Sequence, residues 1–252
     1  MFTRVLRFTL IAGAVMASLV QASPQKDLEA AVQRDQVVFI LVMEPGAPGI
    51  EQAKLLIREA MNRVENSALV ELDRSSPANA SLVAKYRLAG APVPLILVAA
   101  RNGVLAGGLP AAQATPENLL AVVPSPKKAE VLQFLETGKA VFISASRKTM
   151  PARSGATSAC AAACAQMNDQ GATVKIDMDD PRETAFLAQL KVDRAATEPV
   201  TLVVNAQGQI TGTYTGATDV ASLVQAAAKK AGGCAPGACG PSSGSSCAPT
   251  KK

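Results

Sequence analysis

The sequence predicts an α/β protein built from two tandem three-layer α/β/α domains, each around a central mixed sheet. Three observations predict it. Apolar runs at Val37–Met43 and at residues 140–145 read as strands buried on both faces. Each run is followed by a helical segment, a second strand ending in Asp, and a proline step into an apolar hairpin. The order recurs at a near-constant spacing: Val37 to Val141, Val70 to Val174 and Asp73 to Asp177 are each 104 residues apart. Solenoid repeats run at roughly 20–50 residues, so this longer period indicates duplicated domains.

In the first copy, Asp27 is positioned to cap a short helix reaching Gln33. After the first strand, Glu44-Pro45-Gly46-Ala47-Pro48-Gly49 breaks the run. Apolar residues at helical spacing (Ile50, Ala53, Ile57, Ala60, Met61, Val64) then predict a helix over 50–64. Residues 68–73 form the second strand. Pro77 opens a helix to Tyr86, and a Gly90-Ala91-Pro92 turn leads into a strand over 94–100. Arg101-Asn102-Gly103 turns a hairpin, whose return strand over 104–106 is ended by Gly107-Gly108. Thr115-Pro116-Glu117 starts a helix to Val122. Pro124-Ser125-Pro126 links the copies. The second copy predicts helices over 127–135, 154–167, 181–190 and 219–230, and strands over 140–145, 172–177, 200–205 and 209–214. Pro92 and Pro199 are 107 residues apart, so the second copy carries three extra residues before its proline.

Bulk properties exclude several function classes. Arg4 and Arg7, an apolar stretch over 8–20, and Val20-Gln21-Ala22 before Ser23 read as a secretory signal over residues 1–22. The division that follows is domain 1 over 23–123, a linker over 124–126, domain 2 over 127–231 and a tail over 232–252. The location expected is periplasmic or secreted, with no membrane span after signal cleavage. Losing the two arginines lowers the formal charge from +5 to +3, with no run of cations, and Trp is absent. The sequence therefore offers no nucleic-acid surface and no stacking platform. It contains no His, the usual general base, triad partner and metal ligand. No Walker loop, dinucleotide-binding glycine loop or hydrolase elbow is present. The acidic turn at Asp177, Asp179, Asp180 and Pro181 reads as a helix cap.

The order of elements and the proline step resemble the thioredoxin fold. A strand leads into a long helix, the next strand ends in Asp, and a Gly/Ala-x-Pro step enters an apolar hairpin. The resemblance implies that Pro92 and Pro199 hold the place of the family's cis-proline, facing the active-site turn. It also implies a Cys-x-x-Cys where the first strand meets the long helix, where a depressed thiolate pKa drives exchange chemistry. The sequence departs from the family there. Domain 1 has Glu44-Pro45-Gly46-Ala47-Pro48, and domain 2 has Lys148-Thr149-Met150-Pro151-Ala152. Neither holds a thiol, and domain 1 contains no Cys.

The five cysteines form two groups. Cys160 and Cys164 lie i, i+4 within the long helix of domain 2, on a stripe with Ala156, Ala163 and Met167. The 104-residue spacing matches them to Leu56 and Ala60. They read as small core residues, as a thiol or metal pair, or as partners for the tail. A disulfide between them strains helical geometry. Cys234, Cys239 and Cys247 lie in the Gly/Pro/Ser-rich tail, whose composition predicts flexibility. Their spacing matches no zinc motif, yet soft thiolates bind Cu(I) or Zn. No cofactor is required, and a bound Cu or Zn is one reading of all five thiols. Three functions follow. The first is a non-enzymatic binding or scaffold module for polypeptides or protein thiols. The second is a noncanonical thiol–disulfide oxidoreductase using Cys160 and Cys164. The third is a copper or zinc chaperone.

Overall fold

The computed structural model describes residues 23–229. The signal segment and Cys234, Cys239 and Cys247 lie outside the described residues. Domain 1 runs α1 (Pro24–Gln33), β1 (Val37–Met43), α2 (Ile50–Met61), β2 (Ser67–Asp73), α3 (Ala80–Lys85), β3 (Leu95–Ala99), β4 (Leu105–Pro110) and α4 (Pro116–Val122). Domain 2 runs α5 (Pro126–Glu136), β5 (Ala140–Ser146), α6 (Arg153–Gln166), β6 (Gly171–Asp177), α7 (Thr184–Gln189), β7 (Val200–Val204), β8 (Ile210–Thr215) and α8 (Val220–Ala228).

The sheets have the orders β2-β1-β3-β4 and β6-β5-β7-β8. The first pair in each is parallel and the rest are antiparallel. Side chains alternate across each central strand, so each sheet needs cover on both faces. In domain 1, Val38, Ile40 and Val42 pack under α1 and α3, while Val37, Phe39 and Leu41 pack under α2 and α4. In domain 2, Val141, Ile143 and Ala145 face α5 and α7, while Ala140 and Phe142 face α6 and α8. These are two tandem thioredoxin-like α/β/α domains.

Strand pairing resets the repeat. Val38 pairs with Ala68 and Ala99, whereas Val141 pairs with Ala172 and Val204. The offset is therefore 103 residues at the first strand, 104 at the second and 105 at the third. Phe39-Ile40 and Phe142-Ile143 coincide. On α2 and α6 the buried sets are Ala53, Ile57, Ala60 and Ala156, Cys160, Ala163, each 103 apart. Cys160 thus takes the place of Ile57, and Cys164 that of Met61, rather than Leu56 and Ala60. The duplicated Val-Val step made the first strand ambiguous by one residue.

Pro92 is likewise displaced as the counterpart of Pro199. Register partners Leu95↔Val42 and Val200↔Ala145 put Pro94 in the position of Pro199, each directly before its strand. The cis bond is Val93–Pro94, and Pro199 is trans. The Pro94 carbonyl accepts from Ala111 N at 2.9 Å, and the Pro199 carbonyl from Gly216 N at 2.8 Å.

Two other expectations change. Gly107-Gly108 does not end the hairpin; β4 runs through it, because β3 approaches so closely that a Cβ on Gly108 would lie 2.4 Å from Leu97 Cδ2. Asp27 sits in the first turn of α1, and the N-cap position falls to Ser23 ahead of Pro24. Thr115, Ser125 and Asp219 do cap α4, α5 and α8 through their side chains.

Candidate functional site

In each domain the turn after the first strand opens the long helix and faces the segment before the third strand. In domain 1, Gly49 takes a left-handed backbone (φ 85°) to start α2, which has no capping side chain. The first residue of the turn is Glu44. Its carboxylate accepts from Arg74 Nε at 2.9 Å and from Arg74 Nη2. Arg74 follows β2 and also donates through Nη1 to Leu88 O at 3.0 Å and to Ala91 O. One guanidinium thus ties the turn to the segment preceding Pro94.

Domain 2 has the same tie with the charges exchanged. Arg147 stands in the position of Glu44, 103 residues on. Its Nε donates to Asp179 Oδ1 at 3.0 Å, after β6, and its Nη1 to Ala196 O at 2.8 Å. Ala196 is the counterpart of Ala91 at the 105-residue offset. The Arg147 N–H points at Met150 Sδ (3.3 Å), and Met150 is buried in the core. Neither turn presents a thiol. The acid of domain 1 is engaged by Arg74, and the sequence supplies no imidazole. As built, the two turns hold and position backbone rather than a nucleophile.

The two described cysteines lie elsewhere. Cys160 is seven residues into α6, about 10 Å along the helix from the Arg147 turn. It is 2 % exposed, among Phe142, Ala163, Val203 and Leu223. Burial pushes its thiol pKa up, an effect lessened by the neighbouring Thr201 hydroxyl and reinforced by Cys164. A buried thiol held protonated is a poor nucleophile. Cys164, one turn on, is half-buried. No disulfide joins the described residues, and no group of three or more Cys, Asp or Glu side chains among them is arranged to hold a metal ion. Asp180 caps the turn after β6 by accepting from Arg182 N at 3.0 Å, and its side-chain bonds to Arg182 hold its carboxyl below the usual range.

Several residues here left no local mark in the sequence. The ion-pair partners are about thirty residues apart, so no local pattern links them. Glu183 is 1 % exposed; its carboxylate accepts from Ser125 Oγ at 2.6 Å and Lys127 N at 3.0 Å, fastening the start of α5. The domains meet where the Asn102 side chain, in the β3–β4 hairpin, donates to Ala129 O (3.0 Å) and Gln133 Oε1 (3.3 Å) of α5. Beside that contact lies a cavity of about 490 Å³ between α1, α3 and α5, lined in part by Leu28, Tyr86, Gln133 and Glu136.

No protein-family model and no curated protein matches the sequence. Solved structures do. The first two thioredoxin domains of Saccharomyces cerevisiae Eps1p are 12% identical, with a TM-score of 0.32 over 83% of this chain and 97% of theirs. Human ERp44 is 11% identical, with a TM-score of 0.36 over 84% of this chain and 57% of its own. The N-terminal domain of the alkylhydroperoxide reductase AhpF from Enterococcus faecalis is 13% identical, with a TM-score of 0.28 over 81% and 97%.

Proposed function

We propose that the protein is an exported, non-enzymatic binding module that presents two thioredoxin-like domains to a polypeptide partner. The observation that carries this reading is the content of the two turns. In the turns where exchange chemistry would need a thiol, neither domain has a Cys. Glu44 and Arg147, the first residues of those turns, are ion-paired to Arg74 and Asp179 after the second strand. In each pair the arginine also bonds carbonyls of the segment before the third strand. The leader-like residues 1–22 support export. Among the described residues no helix is long and apolar enough to cross a membrane.

A thiol-based reading rests on one observation: Cys164 is only half-buried while Cys160 is not accessible. In that reading the tail thiols act with Cys164 to bind Cu(I) or Zn or, once an external disulfide has oxidised them to a disulfide, to capture a protein thiol by exchange. Reduction of insulin by dithiothreitol, followed by turbidity, separates a binding module from an oxidoreductase. The wild-type protein and a Cys160→Ala/Cys164→Ala variant are expected to give the same background rate. A wild-type rate well above background that the double variant loses would overturn the non-enzymatic reading.

A further inference from the structure

The two domain cores differ in kind at one spot. Beneath α2, domain 1 packs Leu41, Ile57 and Ile96, all fully buried, with Leu41 and Ile96 as register partners. The same three places beneath α6 hold Ser144, Cys160 and Thr201, with Ser144 and Thr201 as register partners. Ser144 is 2 % exposed and Thr201 0 %. Neither hydroxyl has a hydrogen-bond partner among the described residues. The Thr201 hydroxyl neighbours the Cys160 thiol without completing a bond to it. Three polar atoms therefore converge in a layer that is wholly apolar in the sister domain.

We propose that this spot is a binding site for a single internal water, held by Ser144 Oγ, Thr201 Oγ1 and Cys160 Sγ. Buried hydroxyls in folded proteins are almost always satisfied, and a buried water typically bonds about three otherwise unpaired groups. The number of converging atoms fits. The side chains are also smaller: replacing Leu, Ile and Ile by Ser, Cys and Thr removes roughly five non-hydrogen atoms, and a water needs only about one probe sphere of room. Tyr214, which replaces Leu109, does not fill the gap. Its ring lies over Gly212, and its hydroxyl donates to Ser222 O at 3.2 Å. The donor set also selects the ligand. One protonated thiol and two neutral hydroxyls are a poor site for Cu(I) or Zn, which favour several thiolate or imidazole ligands.

The test measures water oxygen-17 relaxation dispersion on the full chain, comparing wild type with Ser144→Ala/Thr201→Val, which keeps the shape and removes both hydroxyls. The expected result is a long-lived component that falls by one water-equivalent in the variant. Equal components in the two proteins would overturn the site. A high-resolution crystal structure of the wild-type full chain decides the matter if the variant does not fold. A density peak within hydrogen-bond distance of Ser144 Oγ and Thr201 Oγ1 supports the proposal. A direct Ser144–Thr201 hydrogen bond with no such peak defeats it.

Discussion

Cys160 and Cys164 stand one helical turn apart in different surroundings, and the difference has a pH signature. Cys160 is buried, so its protonated form is favoured in the folded state, and its pKa there is raised above the unfolded value. The native protein then holds that proton more tightly than the unfolded chain. The resulting stability is fully present below the ordinary thiol pKa of about 8.5 and is lost as pH rises through the higher folded value. The urea midpoint of the reduced wild-type protein should therefore fall with rising pH above about 8.5 more steeply than that of Cys160→Ala. Parallel curves would mean that Cys160 is not shielded as its burial indicates. Beside Cys160, the Thr201 and Ser144 hydroxyls would each cost about 1–3 kcal/mol if the proposed water did not bond them. Their sequence positions gave no warning: within an apolar strand, Thr and Ser look like ordinary pattern noise.

At the scale of elements, one guanidinium in each domain joins the turn after the first strand to the segments after the second strand and before the third. Arg74 is the more deeply set: its side chain is 15% exposed, and it serves one carboxylate and two carbonyls. Arg147 is 25% exposed and serves one carbonyl and a carboxylate whose own side chain is 63% exposed. Replacing Arg74 by Met leaves Glu44 and two carbonyls without their donor, at an expected cost of about 1–3 kcal/mol. Arg147→Met should cost about 1 kcal/mol or less, because exposed ion pairs contribute little. Urea midpoints of the two variants check the order, and an equal or reversed loss would show that the carbonyl contacts do not carry the difference. The strands and helices around these ties were legible, since apolar runs, proline starts and Ser/Thr/Asp caps are local signals. The ties were not, because partners thirty residues apart share no local pattern. Nor was the register: Pro92 and Pro94 offer the same proline step, and only the pairing of Leu95 with Val42 chooses between them.

At the scale of the whole molecule, the order of the helices decides which thiol the tail can meet. Each domain closes its own apolar layers, and the Asn102 contact to α5 joins them. The last described residue, Lys229, is fixed where its carbonyl accepts from Asn205 Nδ2 at 2.9 Å. Just before it, Ala226 and Ala227 of α8 belong to the apolar cluster against which Cys164 packs. Packed helices lie about 8–10 Å apart. Cys234 is five residues beyond Lys229, a reach of about 17 Å in extended chain. Cys164, half-buried against the cluster that α8 closes, is the described thiol that a tail cysteine is expected to meet, whereas Cys160 is buried in that cluster. After exposure to a disulfide oxidant, intact-mass and peptide mapping should give a product two hydrogens lighter, with Cys164 joined to a tail cysteine and Cys160 free. Five free thiols would end the disulfide reading, and a link to Cys160 would mean that α6 opens far more readily than its packing allows. Anaerobic loading with Cu(I) or Zn(II) tests the other use of the same thiols. Metal retained by the wild type and lost in Cys164→Ser would assign capture to Cys164 and the tail, and no retained metal would leave the binding-module reading standing alone.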